Sequence, residues 1–166
     1  MRIGIYGTCI KMNIRLTFKN IVDDPTCRIY INQETLYEGI VLPNFNLATD
    51  VEGIATLRIQ FFNKQPQDTV VENGVIIRDK SFELERVVLD EYDIQELIWQ
   101  SKYQLDRGDN IDSCLFFGPN GSYLLDFHTP VLHWILESRH KANGEDPDWE
   151  QDFNYYQQAC KILAQI

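Results

Sequence analysis

The sequence predicts a mainly β protein: an antiparallel β-sandwich or jelly-roll-like body followed by a C-terminal pair of α-helices. Three observations carry that expectation. Apolar and polar residues alternate along several short segments, and Gly, Asn, Asp and Pro punctuate those segments at close intervals. Beyond residue 128 the apolar period changes from two to a sustained 3.6 or so. No long helices alternate with the strands, which speaks against a doubly wound fold. A chain of 166 residues, 44% of them hydrophobic, is long enough for one domain that buries roughly two thirds of its unfolded surface without staples.

In chain order, residues 1–11 read as an extension, 12–128 as the sandwich body and 129–166 as the helices. Residues 14–19 alternate strictly and put Ile14, Leu16 and Phe18 on one face of a strand. Residues 20–25 supply turn chemistry. Residues 28–32 and 35–41 then form two strands about a polar turn, and residues 45–48 add a short one. The longest extended run turns Ala55, Leu57, Ile59 and Phe61 to one side, with Phe62 breaking the rule on the other. Asn73-Gly74, between residues 69–71 and 75–78, is the strongest hairpin signal in the chain. In residues 82–89 the doubling at Val87-Val88-Leu89 predicts a bulge or a fully covered strand end.

Ile94, Leu97 and Ile98 stand at helical spacing, so residues 94–103 predict a short helix or a turn of one, followed by a polar loop at 106–113. Residues 114–117 and 122–128 predict a second hairpin about the turn at 118–121. Thr129 as N-cap and Pro130 as first helical residue start a helix over 131–140. Its apolar side is Val131, Trp134, Ile135 and Ser138, and Ala142-Asn143-Gly144 ends it. A last helix, capped by Asp146-Pro147 or by Asp148, carries Trp149, Phe153, Tyr156, Cys160 and Leu163 as a continuous stripe. Within that stripe Trp149, Phe153, Tyr156 and Leu163 are the candidate partner-binding residues.

Composition narrows the function classes. A net charge of −10 gives no general attraction to phosphate backbones or anionic lipid, so neither nucleic acid nor membrane is an expected partner. No run approaches the roughly 18 apolar residues of a membrane span. The apolar stretch after Arg2 is short, broken by Gly4 and Gly7, and lacks the cleavage site of a signal peptide. The acidity is local. Residues 1–80 hold nine acidic and nine basic side chains, whereas residues 81–112 hold nine and three. That segment is therefore the one to test for a cation or a basic partner.

Candidate chemistry is sparse. Cys9, Cys27, Cys114 and Cys160 stand singly, without zinc or redox spacing. Asp106, Asp109 and Asp112, with Asn110, crowd one loop with oxygen donors for Ca²⁺, although the EF-hand spacing is missing and a solvated loop is the plainer reading. Arg107-Gly108-Asp109 in the same loop is short enough to arise by chance. His128 and His133 lack a third ligand in the sequence, and there is no H-E-x-x-H. Asp126 and His128 share a strand face, half of a general-base arrangement, but no nucleophile elbow accompanies them and a surface ion pair is the plainer reading. No phosphate-binding glycine loop occurs. Trp99, Tyr103, Trp149, Tyr155 and Tyr156 offer flat surfaces to sugars or proteins.

The segment 57–64, then Asp68 to Val71, Asn73-Gly74, Ile76-Ile77, Asp79-Lys80 and residues 82–89, resembles small β-rich proteins of tailed bacteriophages, especially cyanophages. The Phe116-Phe117-Gly118-x-Asn120-Gly121 segment and residues 129–136 are similar too, so the resemblance spans about Met12 to His140. It implies a virion component or accessory factor, located in the virion or host cytoplasm, and carries over no site residues. The order of strand, Asn/Asp loop and strand also resembles calcium-dependent carbohydrate-binding β-sandwiches.

The leading expectation is thus a non-enzymatic, cofactor-free protein that binds other protein subunits, either virion proteins or copies of itself. One alternative is a carbohydrate-binding module that uses exposed aromatics and calcium at Asp106, Asp109 and Asp112. The other is a hydrolase using Asp126 and His128.

Overall fold

The computed structural model describes residues 10–144. The strands are β1 (Ile10–Val22), β2 (Thr26–Ile31), β3 (Glu34–Ile40), β4 (Asn44–Val51), β5 (Ile54–Phe61), β6 (Thr69–Glu72) and β7 (Val75–Asp79). They continue with β8 (Ser81–Leu89), β9 (Tyr92–Asp93), β10 (Lys102–Leu105), β11 (Asn110–Asp112), β12 (Phe116–Phe117) and β13 (Gly121–His128). One helix, α1 (Val131–Asn143), follows among the described residues. The candidate partner-binding residues Trp149, Phe153, Tyr156 and Leu163, with the last predicted helix, lie outside them. No helix among the described residues is long and apolar enough to cross a membrane.

All pairings are antiparallel. One sheet runs β12-β8-β1-β4 with β9 beside β8, the other runs β11-β10-β13-β5-β2-β3, and β6–β7 stands apart as a hairpin. The alternation read from the sequence becomes the core between the two large sheets. Ile14, Leu16 and Phe18 of β1 are buried, as are Ala55, Leu57, Ile59 and Phe61 of β5 and Tyr123, Leu125 and Phe127 of β13. Phe62, the exception, lies outside β5, where the Arg28 guanidinium covers its ring at 4.1 Å. Of the two alternatives read at Val87-Val88-Leu89, the covered strand end holds: all three are buried and pair in regular register with β1. A bulge occurs just upstream, where Thr17 pairs with Arg86 and Phe18 with Leu84 and Glu85 is the extra residue. Asn73 and Gly74 both have positive φ and close the β6–β7 turn as expected.

Several boundaries differ from the sequence reading. Ile10 and Lys11, read with the extension, belong to β1 and pair with Val51 and Asp50. The predicted helix over 94–103 shrinks to a 3₁₀ turn at Ile98–Gln100, and Tyr103 lies in β10. Tertiary packing overrides the helical spacing here, because Tyr103 is wholly buried between the sheets and its hydroxyl donates to Pro119 O at 2.6 Å. Part of the polar loop at 106–113 pairs with β10 as β11.

The second predicted hairpin is not one. β12 pairs with β8 in one sheet, whereas β13 pairs with β5 and β10 in the other, so the turn at 118–121 crosses between sheets. Gly121 is required at that crossing. A Cβ there would come within 2.5 Å of Gln104 O and 2.6 Å of the Tyr103 ring. Helix α1 starts after Pro130, and Thr129 turns away from it. The Thr129 hydroxyl accepts from Gly53 N at 3.0 Å and clasps the β4–β5 turn. Val131, Trp134, Ile135 and Ser138 are the buried face, and Gly144 ends the helix in the left-handed region, as the sequence indicated.

Candidate functional site

Part of the acidic stretch 81–112, with Glu83, Glu85 and Asp112, lines one groove of about 630 Å³, which also receives Lys19 from β1 and the segment leading into β12. Two local devices turn aromatic rings into it. In the 3₁₀ turn Ile98 is fully buried, which forces its neighbour Trp99 outward to 51% exposure. Ser113 pins this turn, its hydroxyl donating to Trp99 O at 2.6 Å and its amide to Ser101 O at 3.1 Å. In the two-residue strand β12, Phe117 points inward and is wholly buried, so Phe116 must point out, at 45% exposure. Gly118 leaves room for that ring, since a Cβ there would lie 2.5 Å from Phe116 Cε1.

The charged lining is mainly acidic. Glu83, Glu85 and Asp112 face one cation, Lys19, whose Nζ lies 3.9 Å from Glu83 and 4.0 Å from Glu85. At these distances and exposures the pairs are weak and leave carboxylate oxygens available to a ligand. Gln95 adds an amide with both donors and acceptors. Apolar ring faces beside hydrogen-bonding groups are what a small-molecule groove needs for both affinity and orientation.

The aspartates predicted to bind calcium do not converge. Asp109 pairs with Arg107 at 2.8 Å, both exposed. Asp112 sits opposite Lys102 in β11 and lines the aromatic groove, while Asp106 lines a separate depression with Pro119 and Asn120. Among the described residues their carboxylates do not form a trio at ligand distance, and Arg107, Gly108 and Asp109 occupy the β10–β11 turn.

Asp126 and His128 do share the outer face of β13, but they are not partners. Asp126 accepts from the Thr56 hydroxyl at 2.6 Å. His128 Nε2 instead meets Glu137 Oε2 of α1 at 2.6 Å, and Lys141 Nζ donates to the other oxygen, Oε1, at 2.8 Å. The bonds from Lys141 and then His128 hold the Glu137 carboxyl down at about 2, against an ordinary 4.5. With that carboxyl ionised, Nε2 carries the proton and donates. Sequence reasoning missed Glu137. Its one local signal is the four-residue step from His133, which puts both on one side of α1.

Comparison with protein-family models and with curated proteins gives no match. Among solved structures, the chain is similar in outline to the carbohydrate-binding module vCBM60 in complex with galactobiose, at 12% identity and a TM-score of 0.44 over 70% of this chain and 97% of that one. A selenomethionine form of vCBM60, described as linking two families of calcium-dependent carbohydrate-binding modules by circular permutation, matches at 12% identity and a TM-score of 0.47, covering 69% and 88%. At this identity and these TM-scores the likeness assigns neither function nor site residues to the present chain.

Proposed function

We propose that this protein is a non-enzymatic glycan-binding β-sandwich that holds an uncharged oligosaccharide in the groove of Trp99 and Phe116. One observation carries the reading: both aromatic rings, half exposed, line a groove whose charged groups are three carboxylates and one ammonium. A pyranose presents an apolar C–H face that packs on such rings, and hydroxyls that donate to carboxylates in charge-assisted bonds. Three carboxylates against one ammonium disfavour sulfated, phosphorylated or uronic sugars by like-charge repulsion. The test is retention of the full chain on neutral polysaccharides in affinity gels, with and without calcium. Trp99→Ala and Phe116→Ala are each expected to abolish retention. Unchanged retention in Trp99→Ala would remove the reading, and a calcium requirement would return attention to Asp106, Asp109 and Asp112.

A second reading, binding to another protein subunit such as a phage virion protein, is favoured by a different surface. The β6–β7 hairpin leaves Val71, Val75, Ile76 and Ile77 each more than half exposed, with neither face covered by the large sheets. Replacing Val71 and Ile76 with Ser should release the protein from purified particles or shift its self-association in ultracentrifugation. If neither changes, the hairpin is not the contact.

A further inference from the structure

We propose that His128, His133 and Glu137 form a binding site for a divalent transition metal, best suited to Zn²⁺, at the junction of β13 and α1. Among the described residues this is the one group of three ligand-type side chains whose ligand atoms all lie within 4.8 Å of one another.

The ligands come from a short, tied piece of chain. His128 is the last residue of β13, and His133 and Glu137 stand one turn apart on α1. The two elements are joined only by Thr129 and Pro130. Thr129 is clasped to Gly53 through its amide, at 2.9 Å, and through its hydroxyl, at 3.0 Å. Trp134 packs edge-on against Phe127 at 6.0 Å, which sets the rotation of the helix over the strand. The rings of His128 and His133 are 5.1 Å apart between centroids. The three donors are therefore gathered by structure that exists without a metal.

The chemistry of the set selects the ion. Two imidazoles and one carboxylate suit Zn²⁺ and its neighbours, whereas calcium and magnesium take oxygen ligands. Lys141 already holds Glu137 Oε1, which leaves Oε2, the oxygen beside His128, as a single-atom ligand. In a tetrahedron with bonds of about 2.0–2.2 Å, neighbouring ligand atoms stand about 3.3 Å apart. The 2.6 Å His128–Glu137 contact then opens by less than about 1 Å when the metal replaces the shared proton. Three protein ligands leave a fourth position for water.

The test uses the full chain, stripped with a chelator and titrated with Co²⁺ as a spectroscopic substitute for Zn²⁺. Expected is one equivalent per chain with the intense visible bands of a tetrahedral ion, displaced by Zn²⁺. His133→Ala and Glu137→Gln should each weaken binding by about 100-fold or more, and Lys141→Met by about 10-fold, with circular dichroism confirming the fold. Independently of any variant, Zn²⁺ should shift the imidazole resonances of His128 and His133 in the wild-type chain. The proposal is overturned if no such bands appear, if the His133→Ala, Glu137→Gln double variant binds as the wild type does, or if Zn²⁺ leaves both imidazoles unmoved.

Discussion

Phe116 and Phe117 are chemically identical neighbours to which the fold assigns opposite duties, so truncating each to Ala separates the core from the groove. Phe117 is fully buried and touches aromatic rings from both sheets. It stacks on Phe82 at 4.3 Å and 12°, meets Tyr103 edge-on at 5.2 Å, and lies 6.2 Å from Tyr123 and 6.4 Å from Phe18. Deleting a buried phenylalanine ring costs about 3–5 kcal/mol, and the loss of several ring contacts places Phe117→Ala at about 4–5. At roughly 2–4 °C per kcal/mol for a chain of this length, the melting temperature falls by about 8–20 °C. Phe116→Ala removes a half-exposed ring and should change stability by no more than about 1 kcal/mol, while abolishing glycan retention. Urea denaturation and affinity gels on the two variants measure both effects. Equal destabilisation by the two substitutions would refute the inward and outward assignment of β12. Loss of retention in neither would refute the groove.

Other consequences are equally direct. Gly121→Ala drives a Cβ into the β10 backbone and the Tyr103 ring, and should cost about 1–3 kcal/mol or more in a denaturant titration; a neutral result would contradict the tight crossing between sheets. Burial pushes the Cys27 thiol up to about 12, so a thiol reagent at neutral pH should label Cys27 only after unfolding, which peptide mapping reads. The Gln65 amide, followed by Lys80, holds the Asp68 carboxyl below its ordinary 3.8, and Lys80 bonds it at 3.3 Å. A depressed carboxylate stabilises the fold above its unfolded value and stops doing so as pH falls through the folded one. Thermal melts should therefore show an acid destabilisation below about pH 4 that is smaller in Asp68→Asn.

How much was legible follows from the range of each interaction. The strand faces of β1, β5 and β13, the Asn73-Gly74 turn, the covered end of β8 at residues 87–89 and the buried side of α1 could all be read locally. Side-chain alternation, turn φ angles and helical period are properties of a few consecutive residues. The same local reading failed at residues 94–103, where apolar spacing fits one turn of helix as well as a strand entering the core. It failed again at 114–128, where a glycine-rich turn looks the same whether it returns within a sheet or crosses to the other.

The sequence by itself determined the class of fold, most of its strands, the separation of a β body from a helix, and the concentration of acid in residues 81–112. Only the tertiary structure decided which residues meet. It set Trp99 and Phe116 along one acidic groove, sent Asp106, Asp109 and Asp112 apart, gave Asp126 to Thr56, and brought Glu137 to His128. Periodicity constrains the direction of a side chain relative to its own strand or helix. It says nothing of the neighbouring element, whose position is settled by the packing of the two sheets and of α1 upon them.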